Sequence, residues 1–181
     1  NAVEVRRSSD SALLDVGFVG DDLDTASLLT WAGTDTVYVR RWYDQSGNNN
    51  HAIMTTTTAQ PIIAASSAMK VVNGKSAISF NGTDQYLNLG SSVQTSNTTA
   101  WSWVFERSAA GTKQVTLGQS SASTPFGPYW YSDNTIYYAP TTSGGFGILY
   151  STTGQLHLFN DAVSLSFTIT VNGSNIGTTS Y

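Results

Sequence analysis

The chain has 181 residues, enough for one domain with its own core, and its hydrophobic share of 40% is that of an ordinary globular protein. Charged residues make up only 11% and the net charge is −4, which leaves no basic stripe for nucleic acid. No apolar run approaches the roughly 18 residues of a membrane span, and with no cysteine there is neither a disulfide framework nor a thiolate metal site.

In chain order, VEVRR (3–7) alternates apolar and charged residues as a half-buried strand does, and DVGFVG (15–20) follows after SSDS. In DLDTASLLTWAG (22–33), Ala26, Leu28, Leu29 and Trp31 cluster too densely for strict alternation. Asp24 can cap a helix start and Gly33 can end it, so one short helix is predicted over 25–32, its apolar face plugging the end of a sandwich. VYVRRWYDQ (37–45) reads as a strand with Tyr38, Arg40 and Trp42 on one face and Val39, Arg41 and Tyr43 on the other. PIIA (61–64) is short, and Pro61 places it at an edge or a strand start. Within VVNGKSAISF (71–80) the Asn73-Gly74 pair predicts a hairpin turn, and NGTD (81–84) then leads into YLNL (86–89).

WSWVFER (101–107) places Trp101, Trp103 and Phe105 on one face, which is read as core. VTLGQ (115–119), YWYS (129–132), TIYYA (135–139), GILYS (147–151), QLHLF (155–159) and LSFTITVNG (165–173) complete the strands, the last with a second Asn-Gly turn. TTTTAQ (55–60) and SSVQTSNTT (91–99) read as loops. About a dozen short strands at hairpin spacing, one helix and no βαβ rhythm predict an all-β fold, a two-sheet antiparallel sandwich or jelly roll, as a single domain over 1–181.

Three features carry candidate chemistry. The first is RRWYDQSGNNNHA (40–52), where a strand stops in a knot of polar residues. Asp44, Asn48 and Asn50 suit a strand end, because Asp and Asn bond nearby backbone amides and Asn tolerates left-handed backbone. Asp44, Ser46 and Asn48 also fall at alternating positions, so a calcium site is the second reading of the same residues. An EF-hand would need Gly at its sixth position and Glu at its twelfth, whereas here Gly47 is fourth and Thr55 twelfth. His51 has no second His nearby to make a transition-metal site. The second feature is TPFGPYWYSDNTIYYAP (124–140), a candidate carbohydrate site built on Tyr129, Trp130, Tyr131, Asp133, Asn134 and Tyr137. Aromatic faces suit sugar C–H surfaces, amides and carboxylates suit hydroxyls, and Pro125, Pro128 and Pro140 stiffen the loops. The competing reading puts those aromatics in a core. The third is a set of Asn-x-Ser/Thr sequons at Asn81, Asn97 and Asn172, meaningful only in a eukaryotic secretory pathway.

A family resemblance enters on four stretches in fixed order: DVGFVGDDLDTASLLTWAG, VRRWYDQSGNNNHA, QP, and VNGKSAISFNGTDQYL. Together they resemble the N-terminal half of the alpha-L-arabinofuranosidase B catalytic domain. The WYDQSGNxNxA…NGKxAxxFxGxxxYL portion is also similar to the concanavalin A-like, or laminin G-like, modules of bacterial and phage surface proteins. The likeness covers residues 3–90, and it implies a two-sheet jelly roll. It also implies where a nucleophilic Glu should stand, after a strand ending in Gly-Asn-Ala-Glu. The counterpart here is VTLGQSSA (115–122), in which Gly118 matches, Gln119 replaces the Asn and Ser121 takes the Glu position. The family's vicinal cysteines are absent, and its acid Asp, in a Gly-Asp-Asn stretch, would lie past Tyr181.

Glycoside hydrolysis ordinarily needs two carboxyl groups about 5–9.5 Å apart. The only glutamates are Glu4 and Glu106, and a surface pair with Arg107 accounts for Glu106. Asp133 and Asp161 read as turn residues. His51 and His157 are the only histidines and no G-x-S-x-G elbow is present, so a serine triad fits no better. The expectation is therefore a noncatalytic jelly-roll module, a piece of a larger extracellular or virion-surface protein, with no cofactor, a calcium ion at Asp44, Ser46 and Asn48 being the alternative. Its expected partners are a glycan or other subunits of an assembly that is homo-oligomeric and covers an exposed edge strand. An arabinofuranosidase-like hydrolase, intact or decayed, is the alternative.

Overall fold

Val3 and Val5 are buried along β1 (Val3–Arg7) while Glu4 and Arg6 between them are half-buried, the alternation that the sequence of this strand predicts. The computed structural model describes residues 1–89 and, beyond them, 114–115, 127–130, 135–141, 144–149, 158–164, 166–171 and 174–180. The chain forms two compact units, Asn1–Val93 and Gln94–Tyr181.

In the first unit β1 is followed by β2 (Leu13–Val16), the short pair β3 (Phe18–Val19) and β4 (Asp22–Leu23), and the helix α1 (Thr25–Ala32). Then come β5 (Val37–Trp42), β6 (Ala52–Ile53), a single 3-10 turn (Thr57–Ala59), β7 (Ile62–Ala65), β8 (Ala68–Met69), β9 (Val71–Val72), β10 (Lys75–Ser76) and β11 (Asn88–Leu89). The principal sheet has seven strands in the order β11-β6-β5-β1-β2, with β7 also paired to β5 and β8 to β7. All of its pairings are antiparallel.

The helix forms where its caps predict. The Ser27 N–H donates to Asp24 Oδ1 at 3.0 Å, and the Gly33 N–H donates to the Leu29 carbonyl, also at 3.0 Å. Gly33 has φ 59°, the left-handed region in which a side chain would be strained. Leu28 and Ala32 are buried against Val5, Val16, Val37, Val39 and Ile63, so α1 covers one face of the sheet. Leu28 is fully buried, which contributes about 1.5–3 kcal/mol of transfer free energy.

Strand β5 is shorter than its apolar pattern predicts, and its alternation breaks at Arg40. Glu4 stands opposite Arg41 but Val5 opposite Val39, so β5 carries one extra residue there. Such a bulge re-aims the side chains around it, and Arg40 meets Glu4 in an ion pair. Past Trp42 the Tyr43 N–H still donates to the Ala2 carbonyl at 3.0 Å, and the ladder then gives way to the loop of Asp44.

Two hairpins of the first unit solve the same turn differently. Asn73 and Gly74 join β9 to β10 with φ of 49° and 77°, as the Asn-Gly signal predicts. Ser66 and Ser67 join β7 to β8 with φ of 53° and 62°, a conformation that serine adopts at a cost and that no turn signal in the sequence announces.

In the second unit β12 (Gln114–Val115), β13 (Gly127–Trp130), β14 (Thr135–Thr141) and β15 (Gly144–Leu149) form an antiparallel sheet in chain order. A three-stranded sheet follows, of β16 (Leu158–Ser164), β17 (Ser166–Val171) and β18 (Ser174–Ser180). Val171 stands opposite Ser174, with the Asn172-Gly173 pair between them in the chain. Asp161, read above as a turn residue, belongs to β16, in a part of the strand where the register shifts between Asn160 and Val163. The described residues are thus strand-rich, antiparallel and served by one α-helix, as an all-β chain predicts.

Candidate functional site

The loop that ends β5 is built around Asp44. Its Oδ1 accepts from the Ser46 N–H at 2.8 Å, and its Oδ2 accepts from the Ser46 hydroxyl at 2.8 Å and the Asn50 N–H at 2.9 Å. The Asn48 side-chain amide donates to Ser46 Oγ at 3.0 Å. Gly47 and Asn49 take left-handed backbone, with φ of 85° and 60°. The loop closes on itself where the Asp44 N–H donates to His51 Nδ1 at 3.0 Å, and the His51 ring meets the edge of Tyr43 at 5.0 Å between centroids. The backbone bond from Ser46, then the Ser46 hydroxyl and the Asn50 amide, hold the Asp44 carboxyl below its ordinary range.

Asp44, Ser46 and Asn48 are therefore brought together, as the calcium reading requires, but both carboxylate oxygens already receive loop donors. A cation would have to compete with those N–H groups for the same lone pairs. Among the described residues no group of three or more His, Asp or Glu side chains converges as a metal site would.

A second site emerges on the face of the principal sheet opposite Val5 and Val39. One register row crosses it: Leu13 of β2, Arg6 of β1, Tyr38 of β5 and Ile62 of β7. Arg6, Tyr38 and Ile62 form the floor of a cleft of about 440 Å³. Ser8 and Ser11 border it from the β1–β2 connection, Thr57 and Thr58 from the 3-10 turn, and Gln85 from the loop after Asn81.

The cleft's arginine is fixed from two sides. The Arg6 guanidinium lies over the Tyr38 ring, 4.7 Å from its centroid. Arg6 Nε donates to Gln60 Oε1 at 2.7 Å, and Gln60, only 1% exposed, is anchored in turn by donating from Nε2 to the Met54 carbonyl at 2.9 Å. Gln85 is oriented too: its Oε1 accepts from the Asn81 N–H at 2.9 Å, while Asn81 Oδ1 accepts from Thr83, Asp84 and Gln85. That leaves the Gln85 amide nitrogen without a partner among the described residues.

Among the described residues that line the cleft none is a carboxylate. Asp35 accepts from the hydroxyl of the bordering Ser8 at 3.1 Å, and four other acidic groups of the first unit stand in structural pairs. Glu4 meets Arg40, Asp10 meets Arg7, Asp22 meets Lys75 and Asp15 accepts from the Tyr43 hydroxyl at 2.7 Å. Burial, and then that bond to Asp15, push the Tyr43 hydroxyl above its usual range.

Of the aromatic candidates, Tyr129 and Tyr137 stand directly opposite each other in the β13–β14 ladder and so belong to one face of their sheet. Trp130 stands opposite Ile136, which stands opposite Ile148, so these three belong to the other face. Tyr131, Asp133 and Asn134 lie outside the described residues, as do Glu106, Ser121 and the stretch 101–107.

The cleft is absent from the sequence-based expectations. Alternation in β1 and β5 separates Arg6 and Tyr38 from the buried valines, but the register that pairs them is a property of the bulged ladder. Gln60 sits in a stretch read as loop, with nothing to mark it as buried. Comparison with protein-family models, curated proteins and solved structures gives no match for this chain.

Proposed function

We propose that this chain is a noncatalytic carbohydrate-binding module of concanavalin A-like jelly-roll type, working at the surface of a virion or a secreted bacterial protein. The observation that carries the binding role is the cleft on the sheet face away from the core. It offers a stacked arginine and tyrosine, an oriented glutamine amide and several hydroxyls. Planar donors beside an aromatic face are what sugar hydroxyls and C–H surfaces bind, and a rim fixed by its own hydrogen bonds loses little entropy on binding. The jelly roll and the surface location rest on the resemblance over residues 3–90.

Among the described residues that line the cleft there is no carboxylate, which supports binding over hydrolysis, because glycosidases place two carboxyl groups across the scissile bond. The ladder pair Tyr129 and Tyr137 supports a separate candidate glycan site in the second unit, with Tyr131, Asp133 and Asn134 as its further candidates, and Trp130 belongs to the other face of that sheet.

A glycan array probed with the chain, beside an assay on aryl arabinofuranosides, tests the proposal. Saturable glycan binding without turnover is expected. Turnover that Glu106→Gln abolishes would establish the hydrolase instead, and an array without hits would leave assembly with other subunits as the role.

A further inference from the structure

We infer that the cleft takes an acidic saccharide, a sugar bearing a carboxylate, and that Arg6 receives that carboxylate. This rests on the glycan-binding role proposed above and names its ligand class. Among the residues lining the cleft, Arg6 carries the only charge. Its neighbour Arg7 is paired with Asp10, and Arg40 with Glu4, but Arg6 has no carboxylate partner among the described residues. A half-buried cation without a counter-charge leaves a field that an anionic ligand satisfies.

The geometry also selects the kind of anion. Gln60 Oε1 takes the Arg6 Nε–H, and the Tyr38 ring takes one face of the guanidinium. The end of the fork remains: Nη1 makes only a long 3.5 Å contact to the Arg7 carbonyl, and Nη2 has no partner among the described residues. Two N–H groups on one rigid edge match the two coplanar oxygens of a carboxylate. Because Gln60 is buried and anchored at both ends of its amide, the fork is oriented before any ligand arrives. The surroundings suit a sugar ring attached to that carboxylate. The hydroxyls of Ser11, Thr57 and Thr58 both donate and accept, the Gln85 amide nitrogen donates, and Ile62 provides an apolar floor. A nucleic-acid phosphate chain, by contrast, would find a single cation on a chain of net charge −4.

The test uses the full chain and oligosaccharides of galacturonate, glucuronate and sialic acid, each titrated beside its own methyl ester. At least one acid is expected to bind saturably, with its ester about tenfold weaker or worse. Arg6→Lys keeps the charge but removes the fork. It should weaken the acid by about tenfold and leave the ester within about twofold. Thr57→Val, at an exposed rim position, should weaken acid and ester alike. Thermal melts report whether each variant folds, and the comparison of acid with ester on the unaltered chain needs no variant at all. Equal binding of acid and ester, or an Arg6→Lys chain that binds the acid as before, overturns the assignment to Arg6 while glycan binding stands. Failure of every acid while a neutral glycan on the array binds overturns the ligand class alone, and failure of all of them overturns both proposals.

Discussion

The Arg7 guanidinium grips Asp10 through two parallel bonds, Nε to Oδ1 at 3.1 Å and Nη2 to Oδ2 at 2.6 Å. Its remaining nitrogen, Nη1, donates to the Trp31 carbonyl at 2.7 Å, and its plane lies 4.7 Å from the centre of the Trp31 ring. One side chain thus ties the β1–β2 connection to the end of α1. Arg6, the preceding residue, faces the cleft on the other side of the same sheet. Two adjacent arginines of one strand therefore do different work, the first without a carboxylate partner among the described residues and the second locked in an ion pair.

That lock makes stability depend on acid in a defined direction. The Arg7 bond, then the Ala12 N–H, lower the Asp10 carboxyl from 3.8 to about 2. A carboxyl whose folded value lies below its unfolded one contributes fully above about 3.8, and the contribution is lost as pH falls from there through about 2. Unfolding midpoints measured across that window should fall more steeply for the unaltered chain than for Asp10→Asn. Asp24 and Asp44, lowered by their own hydrogen bonds, keep part of the slope in the variant. Because the pair is exposed, added salt should narrow the difference between the two chains.

The helix–sheet contact supplies a prediction about the core. Leu28 is fully buried between α1 and the valines of β1 and β5. Leu28→Ala removes that packing from a helix of only eight residues, too short to persist by itself. A loss of about 2–5 kcal/mol is expected by chemical denaturation, with amide exchange across 25–32 rising first. An unchanged denaturation midpoint would show that α1 does not depend on this contact.

How much of this was legible beforehand depends on whether the signal is local. Asp24 and Gly33 bracket α1 because capping is a property of the residues at the helix ends, and Asn73-Gly74 marks its hairpin because few residues adopt two consecutive left-handed conformations. Asp44 was readable as a loop organiser for the same reason, since its partners Ser46 and Asn50 lie within six residues. Gln60 was not, because its partner Arg6 is 54 residues away and only the folded sheet brings them together. The Arg40 bulge is hidden in the same way, since a pleat that gains one residue shows itself only against a paired strand.

The turn that the sequence does not announce should be improvable. Ser66 and Ser67 both have positive φ, and the Ser67 hydroxyl donates to the Gly33 carbonyl at 2.9 Å, so Ser67 has a use that Ser66 lacks. Ser66→Asn places a residue that tolerates this conformation at the first turn position and should stabilise by about 0.5–1 kcal/mol. Gly74→Ala, at φ 77° in the neighbouring hairpin, should cost about 1–2 kcal/mol. A pair of thermal melts decides both. Ser66→Asn with a lower midpoint would mean that the turn is held by contacts to the serine itself.

Gln60 links the stability of the sheet to the cleft. It is buried, its Oε1 accepts from Arg6 and its Nε2 donates to the Met54 carbonyl. Gln60→Leu preserves volume but leaves that carbonyl and the Arg6 Nε–H without partners, and a buried unsatisfied polar group costs about 1–3 kcal/mol. The unfolding midpoint should drop accordingly. Freed from its anchor, Arg6 would be held only by Tyr38 and the long contact to the Arg7 carbonyl, so acidic oligosaccharides should bind more weakly than to the unaltered chain, while their methyl esters change little. Gln60 acts here as a positioning residue, and that difference between acid and ester separates positioning from general damage. Equal losses for both ligands, in proportion to the fall in stability, would show that Gln60 serves the sheet and not the arginine.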